Sequence, residues 1–289
     1  MCTVCGCGPA AATGAATLEN HPHAHHVHTS HRDSAGHQHD EQAIGAAAGP
    51  LGAVHAPGMS RSRTIQVERD ILAENNRYAA ENRNFFAAGR ILGLNLMSSP
   101  GSGKTTLLVR TIQDLQQNVS IAVIEGDQQT SFDADRIRAA GAASVQINTG
   151  RNCHLDAHMV SHALERLNPE PGSVVFIENV GNLVCPSAFD LGEASKVVML
   201  SVTEGDDKPL KYPDIFAASD VMVLTKMDLL PYVEFNVERC IAFARRVRPT
   251  IEVVQLSAKH GDGLDSWYRW IEQRREPSLK PEAIEAHPT

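Results

Sequence analysis

Short apolar runs recur along the chain from residue 91 onwards and alternate with amphipathic stretches. The runs are rich in Val and Ile, and they read ILGLNLMSS, VSIAVIEGD, SVQINTG, SVVFIENVG, KVVMLSV, VMVLTKMD and TIEVVQLSA. Amphipathic stretches lie between several of them, at 104–117, 153–167, 234–247 and 264–275. Near-continuous apolar strands separated by helices are typical of a parallel sheet covered on both faces. We therefore predict an α/β fold with a mostly parallel sheet and helices on both of its faces.

The first 63 residues have a different texture. They are dominated by Ala, Gly, His, Pro and Thr, and such a segment cannot bury enough apolar area to offset the entropy of ordering it. From Thr64 the stretch TIQVERDILAENNRYAAENRNFF spaces its apolar residues as a helix does. The sequence thus predicts a disordered His-rich tail over 1–63 and a folded domain over 64–289 that begins with one long helix.

Composition narrows the class of protein. The 289 residues carry a net charge of −8, which argues against a nucleic-acid-binding surface because phosphate neutralisation needs clustered Lys and Arg. No apolar run approaches the roughly 20 residues that cross a bilayer, and no basic start precedes an apolar core at the N-terminus. We expect a cytoplasmic protein with no nucleic-acid or membrane partner, whose six cysteines are reduced and available to metal.

The strand ILGLNLM runs into SSPGSGKTT, which fits the end of the phosphate-binding pattern GxxxxGK[ST] between a strand and a helix. Glycines in this pattern let backbone N–H groups surround phosphate oxygens, and the helix N-terminus adds partial positive charge. The pattern predicts a P-loop NTPase in which Lys104 reaches the β- and γ-phosphates and Thr105 ligates Mg²⁺. Ser98 stands where the pattern has its first glycine. The nucleotide-binding residues expected from this loop are Gly101, Ser102, Gly103, Lys104, Thr105 and Thr106.

Two later segments indicate which base is bound. VMVLTKMD places Lys226 and Asp228 just after a strand and resembles the guanine-reading [NT]KxD motif, with Thr225 in place of the usual asparagine. A carboxylate there can accept both N1–H and N2–H₂ of guanine, which adenine does not offer. Ser257 and Ala258, in LSAK, look like the loop whose backbone N–H faces guanine O6. These residues favour GTP over ATP; the alternative role for Asp228 is to cap a helix that begins at DLLPY, and the two roles can coexist.

Two carboxylates follow strands near the phosphate loop. Asp127 ends VIEGD, and Glu178 lies in VVFIENVG, where ENVG takes the place of the DxxG switch of GTPases. Because ligands collect at the carboxyl ends of parallel strands, we expect both side chains to act on magnesium and water. The predicted catalytic residues are Lys104, Asp127 and Glu178, and the predicted magnesium ligands are Thr105, Asp127 and Glu178. The alternative for each carboxylate is a solvated loop residue.

A second group of residues has the character of metal ligands. Cys153 and His154 are adjacent at the start of a predicted helix, and Cys185 follows the ENVG segment. Thiolate and imidazole suit Zn²⁺ and Ni²⁺, and three ligands leave a fourth position for water, substrate or a second subunit. His158 and His162 share the predicted helix face with His154, and we expect them to be surface histidines. Cys240, in the helical VERCIAFARR, is expected to be structural.

Taken together, these motifs identify a family. The start CxxCGC, a His-rich tract, SSPGSGKTT, EGDQQT, CHLDA, ENVGNLVCP, KPLKYP and KMDLL resemble the hydrogenase nickel-incorporation GTPases, the HypB family. The resemblance covers the chain from residue 64 onwards and residues 1–7. It implies a SIMIBI-class GTPase that helps to deliver nickel to the large subunit of [NiFe]-hydrogenase, dimerises with nucleotide, and works with a zinc-binding partner chaperone.

The resemblance also assigns metals. It implies a nickel or zinc site at Cys153, His154 and Cys185, a high-affinity nickel site at Cys2, Cys5 and Cys7, and nickel storage in the His-rich tract. The histidines of that tract are His21, His23, His25, His26, His28, His31, His37 and His39. A flexible tip with three thiolates can surround Ni²⁺ in square-planar geometry and present it to another protein. Imidazoles hold further ions loosely and release them as pH falls.

Three other functions fit parts of the pattern. The GTPase could serve another nickel enzyme such as urease, although CxxCGC and CHLDA favour hydrogenase. A nickel and zinc storage protein with a regulatory P-loop would not turn GTP over. A P-loop kinase would need an acceptor-substrate pocket and a lid with arginines, and we identify no such lid in the sequence.

Overall fold

The computed structural model describes residues 61–127, 132–150 and 152–279. The predictions for residues 1–60, including the thiol and histidine ligands of the tail, lie outside this part of the chain. The first described helix, α1, spans Arg61–Gly89, so it begins three residues before the predicted start at Thr64.

Seven strands form one sheet. They are β1 Leu92–Ser98, β2 Ile121–Asp127, β3 Ala143–Asn148, β4 Val174–Gly181, β5 Ser195–Ser201, β6 Val221–Thr225 and β7 Glu252–Gln255. Their order is β3-β2-β4-β1-β5-β6-β7, and every neighbouring pair is parallel. The predicted α/β fold with a P-loop and a parallel sheet is confirmed, and all seven apolar runs are strands.

Helices connect the strands. Besides α1 they are α2 Lys104–Leu115, α3 Phe132–Ala139, α4 Ala157–Leu167, α5 Lys208–Lys211, α6 Pro213–Ala218, α7 Val237–Val247 and α8 Leu264–Leu279. Two 3₁₀ turns span Cys185–Ala188 and Met227–Tyr232. The helix predicted from residue 153 begins at Ala157, because the Asp156 side chain accepts a hydrogen bond from Met159 N at 2.8 Å and so caps α4. Cys153 and His154 therefore lie in the loop before α4, which corrects their predicted placement.

The core has two sides, as alternation along the strands requires. Phe176 of β4 packs on one face with Leu107 of α2 and Trp267 of α8. Ile177, the next residue, packs on the opposite face with Phe86 of α1 and Leu164 of α4. The sheet is thus covered on both sides, and the carboxyl ends of β1, β2 and β4 lie side by side at its centre.

None of the described helices combines the length and the apolar character that a membrane span requires.

Candidate nucleotide and metal sites

A cavity of about 560 Å³ opens at the carboxyl ends of β1, β2 and β4. The loop between β1 and α2 forms one wall, and Gly101 and Gly103 adopt φ values of 74° and 100° that side-chain-bearing residues rarely reach. α2 begins at Lys104, so its first N–H groups lie at this wall. The loop therefore has the backbone form that phosphate binding needs.

Lys104 is buried in the cavity, and its Nζ donates a hydrogen bond to Ser98 Oγ at 2.8 Å. Burial lowers the pKa of Lys104, whereas the nearby Glu178 carboxylate opposes that effect. Ser98, which replaces the first glycine of the P-loop pattern, therefore has a structural role. Its hydroxyl holds the Lys104 amine at the place where phosphate oxygens would bind.

Glu178 lies beside the first turn of α2. Its Oε1 accepts a hydrogen bond from Thr105 Oγ1 at 2.8 Å, while its Oε2 is buried with no hydrogen-bond partner. Burial raises the pKa of Glu178. Asp127 lines the same cavity, so the structure brings Lys104, Thr105, Asp127 and Glu178 together.

Glu125 is a residue of this cavity that the sequence analysis missed. It lies on β2 directly opposite Glu178 of β4, is only 2% exposed, and also has a buried Oε2 without a hydrogen-bond partner. Burial, and next the charge of Glu178, raise the pKa of Glu125 to about 8. The available signal was an acidic residue inside an otherwise apolar strand. Two buried carboxylates with unpaired oxygens, next to the Thr105 hydroxyl, are the donor set that Mg²⁺ prefers.

Two charged residues of α3, Asp133 and Arg136, also line the cavity. They pair with each other through Arg136 Nη1 and Asp133 Oδ1 at 3.2 Å. The sequence analysis did not identify them, because α3 itself was not predicted.

The end of β6 contacts the phosphate loop. Lys226 Nζ donates to the carbonyl of Gly101 at 2.7 Å, and Thr225 Oγ1 donates to the carbonyl of Ser102 at 2.7 Å. The Thr225 hydroxyl therefore supplies a donor to the loop, as an asparagine amide can, and the substitution in the [NT]KxD motif keeps this contact.

Asp228 lies in the first turn of the 3₁₀ segment Met227–Tyr232. Its Oδ1 accepts a hydrogen bond from Ser257 Oγ at 2.6 Å, and its Oδ2 lies 3.7 Å from His260 Nε2. The hydrogen bond from Ser257 lowers the pKa of Asp228. Asp228 and the Ser257–Ala258 loop are thus neighbours in space, with an ionised carboxylate available to a base. The alternative role of Asp228 as a helix cap is wrong, because Lys226 occupies the N-cap position of this segment and Asp228 lies inside its first turn.

The predicted internal metal ligands meet in the structure. The donor atoms of Cys153, His154 and Cys185 all lie within 4.8 Å of one another. The two sulfurs are 2.8 Å apart and are not joined in a disulfide, and His154 Nδ1 lies 3.8 Å from Cys153 Sγ. The Cys153 thiol, and next His154, lower the pKa of Cys185 well below its usual range. A half-buried thiolate beside a second sulfur and an imidazole fits Ni²⁺ or Zn²⁺.

His158 and His162 do not share a helix with His154, because α4 begins after it. Both are exposed on α4, with their Nε2 atoms 3.0 Å apart, and His162 Nδ1 lies 3.4 Å from Glu165 Oε2. Cys240 is fully buried in α7, and burial raises its pKa to about 12, which suits a structural thiol.

Comparison with known proteins places this geometry in a family. A family model described as "CobW/HypB/UreG, nucleotide-binding domain" matches residues 93–255. The chain is 64% identical over 222 residues to the hydrogenase maturation factor HypB of Rhizobium leguminosarum bv. viciae, covering 77% of this chain and 74% of that protein. It is 59% identical to HypB of Escherichia coli K12 over 221 residues, covering 76% of each.

Two solved structures have a similar fold. The crystal structure of HypB from Helicobacter pylori in complex with nickel aligns with a TM-score of 0.67 and 36% identity, covering 73% of this chain and 99% of that one. The structure of HypB from Archaeoglobus fulgidus aligns with a TM-score of 0.66 and 40% identity, covering 71% and 100%.

Proposed function

The chain belongs to the HypB family of hydrogenase maturation factors, within the CobW/HypB/UreG nucleotide-binding proteins, and we propose that it is a GTP-hydrolysing nickel metallochaperone for [NiFe]-hydrogenase. The observation that carries the proposal is the position of β4. This one strand carries Glu178 of the phosphate cavity, and the chain that leaves it carries Cys185 of the metal cluster. A site for nucleotide and a site for a soft metal thus share one structural element.

The proposed nucleotide is GTP. Asp228, held ionised by Ser257, accepts the two N–H groups that guanine presents, and Lys226 packs on the phosphate loop. Lys104 leaves Ser98 to bind the β- and γ-phosphates, where its positive charge stabilises the charge that develops during hydrolysis.

Magnesium is the proposed cofactor of this step. Thr105, Glu178 and Asp127, joined by Glu125, would hold it, and when bound it supplies positive charge to the phosphate oxygens. The chain's own contribution is orientation, because Glu178 is fixed by its hydrogen bond from Thr105 and lies in a buried, water-poor position. Asp127 is proposed to orient water at the edge of the cavity.

Nickel is the proposed cargo rather than a resident cofactor. Cys153, His154 and Cys185 offer three ligands, and a fourth position stays open to a donor from water, a second subunit or an acceptor protein. Zn²⁺ fits the same donors in tetrahedral geometry. Cys2, Cys5 and Cys7 are proposed as the tightest nickel site, and the histidines of the tail as a store.

The incomplete metal site supports the proposed partners. A homodimer that forms with nucleotide and metal would supply the missing ligand across a two-fold interface. A zinc-binding maturation chaperone is proposed to exchange nickel with this chain, and the hydrogenase large subunit is its destination. We propose that these steps take place in the cytoplasm.

Nickel analysis of the client enzyme tests the proposal. Hydrogenase large subunit is purified from cells that lack this protein and from cells complemented with the natural chain, with Lys104→Ala or with Cys185→Ser. We expect nickel only with the natural chain. Full nickel loading with Lys104→Ala would show that nucleotide hydrolysis plays no part, and would favour a storage protein.

A second client is supported by one relative. The chain is 39% identical to a protein of Helicobacter pylori J99 named hydrogenase/urease maturation factor HypB. In an organism that makes both enzymes, urease nickel measured in the same strains separates a hydrogenase-specific function from a shared one.

A further inference from the structure

Successive side chains at the end of β4 lie on opposite faces of the sheet and contact different sites. Phe176 packs with the α2 side of the core and Ile177 with the α4 side, so Glu178 faces α2 and Asn179 faces α4. Glu178 accepts the hydrogen bond from Thr105 in the nucleotide cavity, while the Asn179 side chain is buried on the other face at 1% exposure. The peptide unit between them is planar and stiff. A shift of this strand end that moves one side chain therefore moves the other.

Asn179 binds the loop that carries two metal ligands. Its Oδ1 accepts a hydrogen bond from Leu155 N at 3.1 Å and another from Val180 N at 3.0 Å. Leu155 directly follows His154, so the backbone of the Cys153–His154 segment is attached to the amide next to Glu178.

The Leu155 side chain contacts a second strand of the nucleotide cavity. Leu155 is fully buried against Gly126 of β2, where a Cβ atom would lie 2.8 Å from Leu155 Cγ. Gly126 stands between Glu125 and Asp127, both of which line the cavity. The absence of a side chain at Gly126 lets Leu155 lie directly on the end of β2. Leu155 thus contacts the ends of both acidic strands.

The amide of Asn179 also reaches the segment that carries the third ligand. Its Nδ2 donates to Asn95 Oδ1 at 3.2 Å, and Asn95 Nδ2 donates to Glu193 Oε1 at 3.0 Å. Glu193 Oε2 accepts from Leu191 N at 2.7 Å, just beyond the 3₁₀ turn that begins at Cys185. Asn179 is therefore the branch point of a buried network between the two metal-binding segments.

We propose that Asn179 is the positioning residue through which the nucleotide state sets the geometry of the Cys153–His154–Cys185 cluster, acting on it through Leu155. The inference rests on the proposed function, since it requires that nucleotide and nickel affinities are linked. Both halves of the amide are used, one as acceptor and one as donor. An alanine supplies neither and leaves Leu155 N–H buried without its partner.

A matched control is present on α1. Asn82 is also a buried amide, at 2% exposure, and it donates to the carbonyls of Ala157 and Leu191 at 2.8 and 3.0 Å. It binds the same two segments as the Asn179 network, but from the outer helix rather than from a strand of the nucleotide cavity. Replacing it loosens the metal-binding segments without cutting their connection to Glu178.

The test measures nickel affinity in two nucleotide states. The full chain carries Cys2→Ser, Cys5→Ser and Cys7→Ser, so that thiolate-to-nickel absorption reports on the internal cluster. Ni²⁺ is titrated with GDP and with a non-hydrolysable GTP analogue into this parent, and into the parent with Asn179→Ala, Leu155→Ala or Asn82→Ala. Circular dichroism establishes that each variant is folded, and analogue affinity is measured in parallel.

In the parent we expect the two nickel affinities to differ by about 5- to 150-fold, the range of typical allosteric coupling. Asn179→Ala should bring the ratio to within about 2-fold of unity when the two states are compared at saturating nucleotide, a condition needed because Asn179 also lines the cavity, and Asn82→Ala should keep the parent ratio even if both affinities fall. Leu155→Ala should lower the ratio too, and it serves as the test of the inference if Asn179→Ala does not fold.

Retention of the parent ratio in Asn179→Ala, or in Leu155→Ala when it alone folds, overturns the inference and leaves the proposed function intact. Loss of the ratio in Asn82→Ala would overturn it as well, since general loosening would then suffice. Equal affinities in the parent would contradict the linkage in the proposed function itself.

Discussion

Glu125 leads to a prediction about protons that can be tested without knowing the client enzyme. Its carboxyl is buried beside Glu178, Asp127 and Asp133, and its pKa is raised to about 8. If the unpaired oxygens of Glu125 and Glu178 bind Mg²⁺, the metal must displace the proton of Glu125. A group with a pKa of 8 is protonated to about 0.9 at pH 7 and to about 0.1 at pH 9, so Glu125 should contribute about 0.9 and about 0.1 protons respectively to the release on Mg²⁺ binding.

Isothermal titration calorimetry measures this release. Mg²⁺ is titrated into the GDP-loaded protein in buffers of different ionisation enthalpy, at pH 7 and at pH 9. GDP and Glu178 also release protons, so the Glu125 contribution is the release by the natural chain minus the release by Glu125→Gln, and this difference should be about 0.8 protons larger at pH 7 than at pH 9. Glu81→Gln makes the same chemical change at an exposed glutamate of α1 that pairs with Arg77 outside the cavity, so it serves as the matched control and should behave as the natural chain does.

The raised pKa of Glu125 also makes the free energy of unfolding depend on pH. The direction is opposite to that of a carboxyl group whose pKa is lowered by folding. The folded protein keeps a proton that the unfolded chain loses near pH 4.5, so the free energy of unfolding of the metal-free protein should fall as pH rises from about 4.5 through about 8. Glu125→Gln should flatten this fall. Proton release near zero at pH 7 in the natural chain, or the same release in Glu125→Gln, would refute the assignment of Glu125 to the magnesium site.

Three further predictions concern the nucleotide and the tail. Lys104→Ala should lower GTP hydrolysis by at least about 100-fold in a phosphate-release assay, because the developing charge loses its cation, and a smaller loss would remove Lys104 from that role. Asp228→Asn should lower the affinity for GTP and raise the affinity for xanthine nucleotides in competition binding, since xanthine offers an acceptor where guanine has N2–H₂. Equal hydrolysis of ATP and GTP by the natural chain would contradict guanine selection. Deleting residues 2–7 should remove the tightest nickel site in equilibrium dialysis while GTP hydrolysis persists. Deleting residues 21–39 should lower only the number of bound nickel ions. Loss of the tight site in both deletions would refute the separate roles of the thiols and the histidines.

The fold could be predicted from the sequence to the extent that apolar periodicity defines it. Each of the seven apolar runs matches an observed strand; β1, β2, β4, β5 and β6 are almost entirely buried, whereas the edge strands β3 and β7 are mostly partly exposed. α3, α5 and α6 escaped prediction because they are only eight, four and six residues long, too short for a helical period to emerge. The start of α4 was placed too early because the local capping signal, Asp156 before Ala157, was not weighed against the apolar pattern.

The site was predictable where one segment contains the chemistry. The phosphate loop is contiguous, and Lys104 and Thr105 lie in it as its pattern requires. Glu125 was missed because its partner Glu178 is a neighbour across the sheet and not along the chain. Asn179 was missed for the same reason, since it joins Leu155 to Asn95. Contacts of this range depend on strand order, which no local motif encodes.

In the proposed function, the nucleotide state of this chain controls the release of nickel. The most direct measurement follows thiolate-to-nickel absorption of the nickel-loaded Cys2→Ser, Cys5→Ser, Cys7→Ser chain in the presence of a competing chelator, after addition of GTP, GDP or a non-hydrolysable analogue. We expect nickel to leave the Cys153–His154–Cys185 cluster at a rate that differs between GTP and GDP, and we expect Lys104→Ala to remove the effect of turnover. The same rate with all three nucleotides would contradict it.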